Sequence, residues 1–220
     1  MGKKAEKLLE ELEERVKYFS QLGMEFIHSS SPSLESRYLS LTERILHCRE
    51  CPLAQTRKNA VPGEGNLGSE LVFVGEAPGR DEDIQGRPFV GRAGKLLTKI
   101  ISAMQFKRED VYIANIIKCR PPENRNPQKG EIEKCQNYLL QQLEMIKPRV
   151  IVALGRVAAD FFIRSSLGMT ALRGNFHEFG STRVMPTFHP SYLIRNEGNK
   201  TIKKMVWEDM QKVMAFLGKK

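Results

Sequence analysis

Four cysteines are the residues whose spacing points most directly to chemistry. Cys48 and Cys51 are two residues apart, and Cys119 and Cys135 follow after a long gap. A two-residue gap lets both thiolates of the first pair reach one metal centre. Zinc ribbons usually use two such pairs, so zinc fits less well than an iron–sulfur cluster, which takes four thiolates from scattered positions. Four buried thiols without a ligand are the alternative interpretation.

The elements around the cysteines predict an α/β fold. Short apolar runs at Leu71–Val74, Val111–Ile117 and Val150–Leu154 are typical of buried strands. Shorter strands are predicted between Arg173 and Phe188. Helical periodicity covers residues 93–104, 128–146, 156–163 and 201–217. Because strands alternate with helices, we predict a three-layer αβα architecture around a central, mainly parallel, four-stranded sheet.

Three polar segments follow these predicted strands. The segment Gly75–Gly79 follows the first strand, Asn115 lies late in the second, and the segment Phe188–Ser191 follows the last. In open α/β sheets, ligands bind beyond the carboxyl ends of the strands. The sequence therefore predicts that the three segments converge on one crevice.

The N-terminal part of the chain is predicted to be separate from this fold. Residues 3–27 have the spacing of an amphipathic helix, and the Ser/Pro stretch 29–33 is typical of a linker. We therefore divide the chain into an N-terminal helix and linker, residues 1–35, and a domain, residues 36–220. The apolar face of the helix must cover the domain, a protein partner or a second copy of the chain. A monomer is expected, with this helix as the candidate docking element for a protein partner.

Composition restricts the function further. The 220 residues include 35 Lys and Arg against 26 Asp and Glu, a net charge of +9. This surplus favours an anionic partner, and nucleic acid is the commonest one. No apolar run approaches the ~18 residues of a membrane span, so no membrane association is expected. The N-terminus has no apolar signal region, which predicts a cytoplasmic location.

Four segments, together with the cysteines, resemble the iron–sulfur (family four) uracil-DNA glycosylases. The segments are GEAPG, PFVGRAG, NIIKCRPPENRNP and HPSYL, in the family's order, at residues 75–79, 88–94, 115–127 and 189–193. The resemblance covers roughly residues 38–217. It implies one 4Fe-4S cluster on the four cysteines and uracil-containing DNA as the partner. It also implies hydrolysis of the N-glycosidic bond to leave an abasic site, as in base excision repair.

The resemblance also assigns the substrate-binding residues. Phe89 would stack on a uracil that has left the helix, and the Asn115 amide would match uracil O4 and N3–H together. Cytosine presents the opposite pattern and would leave buried polar groups unpaired. Leu193 is the predicted wedge that fills the base stack. The rest of the predicted set is Gly75, Ala77 and Ser191.

The predicted catalytic residues are His189, Glu76 and Glu82. His189 would donate a hydrogen bond to uracil O2 and stabilise the departing anion. Glu76 is the candidate for orienting the attacking water, and Glu82 is the rival carboxylate. In relatives with a GQDPY-type motif, the water-activating aspartate aligns with Ala77, and the tyrosine that excludes thymine aligns with Gly79. These two departures leave open the general base and the wall that rejects thymine.

Two other classes of function remain open from the sequence. The chain could bind uracil-containing DNA without turnover, or it could be an iron–sulfur protein that serves redox sensing or a polymerase-associated complex. The basic insertion with which some relatives trap the sugar is missing after Asn115, which argues against covalent trapping. Because no lysine lies at a motif position that suggests Schiff-base chemistry, a monofunctional glycosylase is expected.

Overall fold

A computed structural model describes residues 14–15, 17–19, 21–22 and 32–219. The described residues fall into two units, which divide between Ser36 and Arg37. In the first unit, residues 14–15, 17–19 and 21 are helical, as predicted for this stretch. Residue 22 is a turn, and the other residues of the helix predicted over 3–27 lie outside the described residues, as do residues 29–31 of the predicted linker.

The second unit contains a sheet whose six strands run in the order β1-β3-β2-β4-β6-β5. The inner strands β3, β2, β4 and β6 are parallel, and β1 and β5 pair antiparallel at the two edges. The predicted α/β class is confirmed, but in the described part of the chain the sheet has six strands where four were predicted. Strands β5 and β6 lie where the shorter strands were predicted, between Arg173 and Phe188, whereas β1 has only two residues, too few for a recognisable pattern. The strands are β1 (Glu64–Gly65), β2 (Leu71–Gly75), β3 (Tyr112–Asn115), β4 (Val150–Leu154), β5 (His177–Phe179) and β6 (Thr182–Thr187).

Helices and short 3-10 turns connect the strands. The 3-10 turns cover Arg108–Asp110 and Pro122–Asn124. Among the described residues, no helix is both long enough and apolar enough to cross a membrane. The helices are α1 (Leu34–Leu46), α2 (Leu53–Thr56), α3 (Arg80–Gln85), α4 (Arg92–Ala103), α5 (Lys129–Ile146), α6 (Arg156–Ile163), α7 (Met169–Leu172), α8 (Pro190–Arg195) and α9 (Lys200–Phe216).

Side-chain alternation along the strands divides the core between the two faces of the sheet. On one face, Leu71 and Phe73 of β2 pack with residues of α4 and α9, such as Leu97. On the other face, Val72 and Val74 pack with residues of α5 and α6. Because helices cover both faces, every residue of β2 is buried, which explains its uninterrupted apolar sequence.

The inner strands end level with one another. Gly75 pairs with Asn115 at the ends of β2 and β3, and Leu154 pairs with Thr187 at the ends of β4 and β6. Since the four strands are parallel, these residues mark one carboxyl edge of the sheet. The three polar segments identified in the sequence all leave the sheet at this edge.

Candidate active site

A cleft of about 730 Å³ lies beyond the carboxyl edge of the sheet. Its lining comes from the loops after β2, β3, β4 and β6, together with α8 and the 121–126 loop. The structure therefore brings together side chains that are more than a hundred residues apart in the sequence. The predicted site residues that line it are Glu76, Ala77, Glu82, Phe89, Asn115, His189 and Ser191.

The Asn115 amide reaches the cleft from the last position of β3. Asn115 is 1% exposed, and its Oδ1 accepts no hydrogen bond in the described structure. A buried acceptor without a donor costs about 1–3 kcal/mol, so it is a site that a ligand N–H group can satisfy. Gly75 makes room for it, because a Cβ there would lie 2.5 Å from Asn115 Oδ1 and 2.6 Å from Phe89 Cζ.

Phe89 forms one wall of the cleft. Its backbone has a positive φ of 50°, which is rare for a residue with a side chain. The first turn of α4 packs directly on this backbone, since a Cβ at Gly94 would lie only 1.9 Å from the Phe89 carbonyl. The Phe89 ring lies 5.7 Å from the His189 ring, with 33° between their planes. An aromatic face is thus held next to the imidazole.

His189 is held in a defined tautomer. The backbone N–H of Ser191 donates to His189 Nδ1 over 3.1 Å, so the proton of a neutral ring resides on Nε2. Burial, with the positive charge of Arg195, lowers the pKa of His189 to about 4. At neutral pH the ring is therefore uncharged, and its Nε2–H can donate to a ligand. Gly155 allows the loop after β4 to lie against His189, because a Cβ at Gly155 would lie 3.0 Å from His189 Cβ.

The two candidate carboxylates have different surroundings. Glu82 accepts hydrogen bonds from the backbone N–H groups of Gly79, Val90 and Gly91, at 3.1, 2.8 and 2.9 Å. The Glu76 carboxylate accepts none from the described residues, and burial raises its pKa. The Glu82 carboxylate thus braces two loops and occupies the N-terminus of α4, whereas Glu76 is open to the cleft.

Leu193 does not line the cleft. It is 4% exposed and packs with Ile202 and Val206 of α9. Leaving this cluster would expose the whole side chain to water, so the position predicted for the wedge is a packing position in this structure. The exposed aromatic residue on the same helix is Tyr192, which lines the cleft and lies 5.1 Å from the Phe188 ring.

The four cysteines line a second cavity. They form no disulfide, and burial raises the pKa of Cys135 to about 12. A thiol with so high a pKa ionises only against a strong positive charge. Among the described residues, no group of three or more His, Cys, Asp or Glu side chains is arranged to hold a metal ion. Four free thiols around one cavity are a donor set that suits a zinc ion or an iron–sulfur cluster.

Arg57 links the segments that carry these cysteines. Its guanidinium donates to Cys119 Sγ over 2.8 Å, to the Leu46 carbonyl over 2.8 Å and to the Cys48 carbonyl over 2.9 Å. A positive charge thus lies against the thiols, where thiolates would be stabilised. The sequence analysis did not single out Arg57, because nothing in its neighbourhood along the chain connects it with Cys119.

Two further polar groups that the sequence analysis missed lie beneath the cleft. Lys118 is 1% exposed, although it lies in the apolar run before Cys119. Asp209 is fully buried, pairs with Arg173, and accepts a hydrogen bond from Thr187 Oγ1 over 2.6 Å. A charged residue inside an apolar run was the available signal for Lys118, whereas the partners of Asp209 are distant in sequence.

The loop between Cys119 and Cys135 is braced internally. Arg125 donates twice to the buried carboxylate of Glu131, at 2.9 and 2.6 Å. Arg120 donates to Asn124 Oδ1 over 2.7 Å. These bonds hold residues 121–126 against the cleft, which they help to line.

Comparison with known proteins agrees with this geometry. The sequence model of the uracil-DNA glycosylase superfamily matches residues 62–211, which include both the sheet and the cleft. The chain belongs to the uracil-DNA glycosylase superfamily.

Within the superfamily, the chain is similar to proteins named Type-4 uracil-DNA glycosylase. The protein from Thermotoga maritima is 50% identical over 181 residues, which are 81% of this chain and 94% of that protein. The protein from Pyrobaculum aerophilum is 54% identical over 163 residues, 70% of this chain and 83% of that protein. The protein from Archaeoglobus fulgidus is 44% identical over 188 residues, 82% of this chain and 93% of that protein.

Proposed function

We propose that this protein is a monofunctional DNA glycosylase that hydrolyses the N-glycosidic bond of uracil in DNA and leaves an abasic site for repair. Relatives named uracil-DNA glycosylase, with 50% and 54% identity, support this activity. The observation that carries the site assignment is the buried Asn115 Oδ1, which has no hydrogen-bond partner and faces a cleft walled by Phe89 and His189. This is a pocket for a flat base with an N–H donor.

Base selection follows from the Asn115 amide. Its Oδ1 accepts from uracil N3–H, and its Nδ2 donates to uracil O4, while the Phe89 ring stacks on the base. Cytosine presents an acceptor at N3 and a donor at N4, so both contacts would be lost inside a buried pocket. A mismatch of this kind can reject an analogue by several orders of magnitude. Gly75 is a specificity residue because only its missing side chain leaves space for this contact.

Bond cleavage places negative charge on uracil and positive charge on the sugar. The bond between C1′ and uracil N1 breaks, and its electron pair leaves with the base. His189 stabilises the uracil anion by donating from Nε2 to O2, which a neutral imidazole does without transferring its proton. Glu76 orients the attacking water, takes up its proton and offsets the sugar's positive charge. Glu82 acts as a brace and Ser191 positions His189.

The four cysteines, Cys48, Cys51, Cys119 and Cys135, would hold one 4Fe-4S cluster. When bound, the cluster supplies a rigid connection between three chain segments and no group that reacts with uracil. The support is the chemistry of the donors: four free thiols line one cavity, and Arg57 donates to one of them. A loop clamped at Cys119 and Cys135 keeps residues 121–126 at the rim of the cleft.

The partner in this proposal is uracil-containing DNA, and residues 36–220 form the glycosylase domain. The N-terminal helix and linker, residues 1–35, would then serve contacts other than base excision. Docking of a protein partner to this helix, a monomeric state and a cytoplasmic location stay predictions from the sequence.

The activity is tested by uracil release from an oligonucleotide that contains a single uracil, scored by alkaline strand cleavage. We expect cleavage with uracil and none when thymine replaces it. Asn115→Ala should abolish cleavage of the uracil strand. If a protein with a full complement of iron cleaves nothing, the enzyme assignment is wrong and the cleft is a binding site without turnover.

A further inference from the structure

Lys118 is a buried lysine whose hydrogen-bond partners are neutral. Its Nζ donates to the Asn115 carbonyl over 2.9 Å and to Gln142 Oε1 over 2.7 Å. Neither partner carries a charge, and no ion pair of Lys118 occurs in the described structure. Burying an ammonium group without a counter-ion is strongly unfavourable, so an opposite charge is expected nearby. The proposed activity assigns no part to this residue.

The side-chain nitrogen of Lys118 supports Asn115, the residue proposed to read uracil. Asn115 ends β3, and beyond it the backbone N–H of Ile116 donates to the Gly75 carbonyl. The Asn115 carbonyl is held by the Lys118 ammonium group, which reaches back by three residues. The peptide unit that carries the Asn115 side chain into the cleft is therefore anchored from beneath by Lys118.

The backbone of Lys118 contacts the cavity that the four cysteines line. Its backbone N–H donates to Cys135 Sγ over 3.3 Å, and the next residue is Cys119. Lys118 itself lines this cavity together with the four cysteines. Cysteines that bind iron are thiolates, so a loaded cavity supplies the negative charge that the neutral partners of Lys118 lack.

Gln142 fixes the ammonium group from α5. While Gln142 Oε1 accepts from Lys118, its Nε2 donates to the Pro62 carbonyl over 2.9 Å. Gln142 is fully buried, at 0% exposure, so its amide cannot form hydrogen bonds with water instead. The backbone N–H of Val61 also donates to the Lys118 carbonyl over 2.7 Å. Lys118 is thus held at its backbone and at its tip.

We propose that Lys118 is a positioning residue that couples the cluster to uracil recognition. The backbone of Lys118 contacts the cysteine cavity at Cys135, and its Nζ holds the Asn115 carbonyl in the orientation that presents the amide to the base. This inference rests on the proposed role of Asn115 in reading uracil.

The test compares iron-loaded Lys118→Met with the wild type. Methionine retains the length and apolar packing of the lysine stem and removes the charge and the two hydrogen bonds that Nζ donates. We expect full iron content, a KM for the uracil oligonucleotide close to wild type, and a kcat lower by about 10-fold to 100-fold. The matched control is Lys107→Met, which changes an exposed lysine before β3, outside the lining of the cleft.

A second readout does not depend on activity. Because a positive charge near an iron–sulfur cluster favours its reduced form, the reduction potential in Lys118→Met should be lower than in wild type and in Lys107→Met. An unchanged potential would overturn the link to the cluster. If Lys118→Met fails to fold or to hold iron, kcat is measured on Gln142→Met instead. This variant removes one acceptor of Lys118 Nζ and leaves the lysine in place. A loaded Gln142→Met protein with wild-type kcat would overturn the proposal.

Asn115→Ala, measured in parallel, separates this inference from the function on which it rests. If Asn115→Ala is inactive while loaded Lys118→Met has wild-type kcat, the role of Lys118 is wrong and that of Asn115 stands. If Asn115→Ala retains wild-type excision, both roles are wrong.

Discussion

Glu76 and Glu82 lie six residues apart, yet their surroundings give them different roles. Three backbone N–H groups donate to Glu82, so its carboxylate is already occupied in holding the Gly79 and Val90 loops together. The carboxylate of Glu76 has no such donors and faces the cleft. In the proposed mechanism, Glu76 is therefore the carboxylate that orients the attacking water.

Substitution of each carboxylate should separate these two roles. We expect Glu76→Gln to lower kcat by about 10²-fold to 10⁴-fold, as for loss of a general base, with the free energy of unfolding unchanged. Glu82→Gln should lower the free energy of unfolding by about 1–3 kcal/mol, since at least one buried N–H loses its acceptor. Single-turnover excision and urea denaturation measure both. If Glu76→Gln is fully active and Glu82→Gln is inactive but stable, the roles are reversed.

The pH dependence of excision should follow Glu76 and not His189. Burial raises the pKa of Glu76 above its ordinary value, and the reaction needs its carboxylate form, so activity falls as the pH falls through this raised pKa. His189, with its pKa lowered to about 4, is already neutral across this range. The residual activity of Glu76→Gln should lack this acidic limb. A limb near pH 6.5 that persists in Glu76→Gln would contradict the assignment.

Gly75 permits a substitution that adds only one methyl group. In Gly75→Ala the new Cβ would lie 2.5 Å from Asn115 Oδ1, so the amide or the Phe89 ring must move. We expect a loss of kcat/KM of about 10²-fold, because small displacements of positioning groups have effects of this size. Gly130→Ala is the matched control, since a Cβ there meets nothing within 4 Å. Equal activity of the two variants would show that the pocket does not depend on this contact.

At the scale of elements, the cleft depends on how the chain leaves the sheet. Thr187 ends β6 two residues before His189, and its hydroxyl donates to the buried Asp209 of α9. Arg173, just after α7, pairs with the same carboxylate. This ion pair, whose carboxylate is fully buried, therefore connects two helices to the strand end that precedes His189.

Removal of Asp209 should destabilise this junction. Because Asp209→Ala leaves the Arg173 cation buried without its partner, we expect a loss of about 3–5 kcal/mol in the free energy of unfolding. The neighbouring Glu208→Ala is the control, since Glu208 forms only an exposed pair with Lys204. Chemical denaturation of both variants measures the difference. Equal stability of the two would show that this ion pair contributes nothing net.

At the scale of the whole molecule, the proposed cluster connects segments that are remote in sequence. Cys48 and Cys51 lie between α1 and α2, Cys119 follows β3, and Cys135 lies on α5. Closing these segments on one centre restricts the unfolded chain and holds the 121–126 loop at the cleft. The cluster would therefore act on both stability and excision without touching uracil.

Anaerobic removal of iron by a chelator tests this connection. We expect the iron-free protein to unfold at lower denaturant concentration, to be cleaved by protease within residues 120–128, and to lose excision activity. The untreated protein, carried through the same steps without chelator, is the control. Identical proteolysis and activity with and without iron would show that the four cysteines have no such role.

Some elements could be predicted from the sequence alone and others could not. Strands β2 and β4 are visible in the sequence because parallel strands buried on both faces give unbroken apolar runs. The two-residue strand β1 carries no such pattern. Leu193 and Tyr192 are adjacent apolar residues on a short helix, and only packing against α9 distinguishes the buried one from the exposed one.

The sequence by itself determined the α/β class, the order of the motifs and the chemical types that meet at the cleft, because these depend on local periodicity and on residue identity. Only the tertiary structure decided which carboxylate is open to the cleft, which nitrogen of the His189 ring carries the proton, and which acceptors the Lys118 side chain contacts. Those properties depend on hydrogen bonds and burial between groups that are brought together by the sheet. Burial raises the pKa of Glu76, and the backbone N–H of Ser191 selects the tautomer of His189.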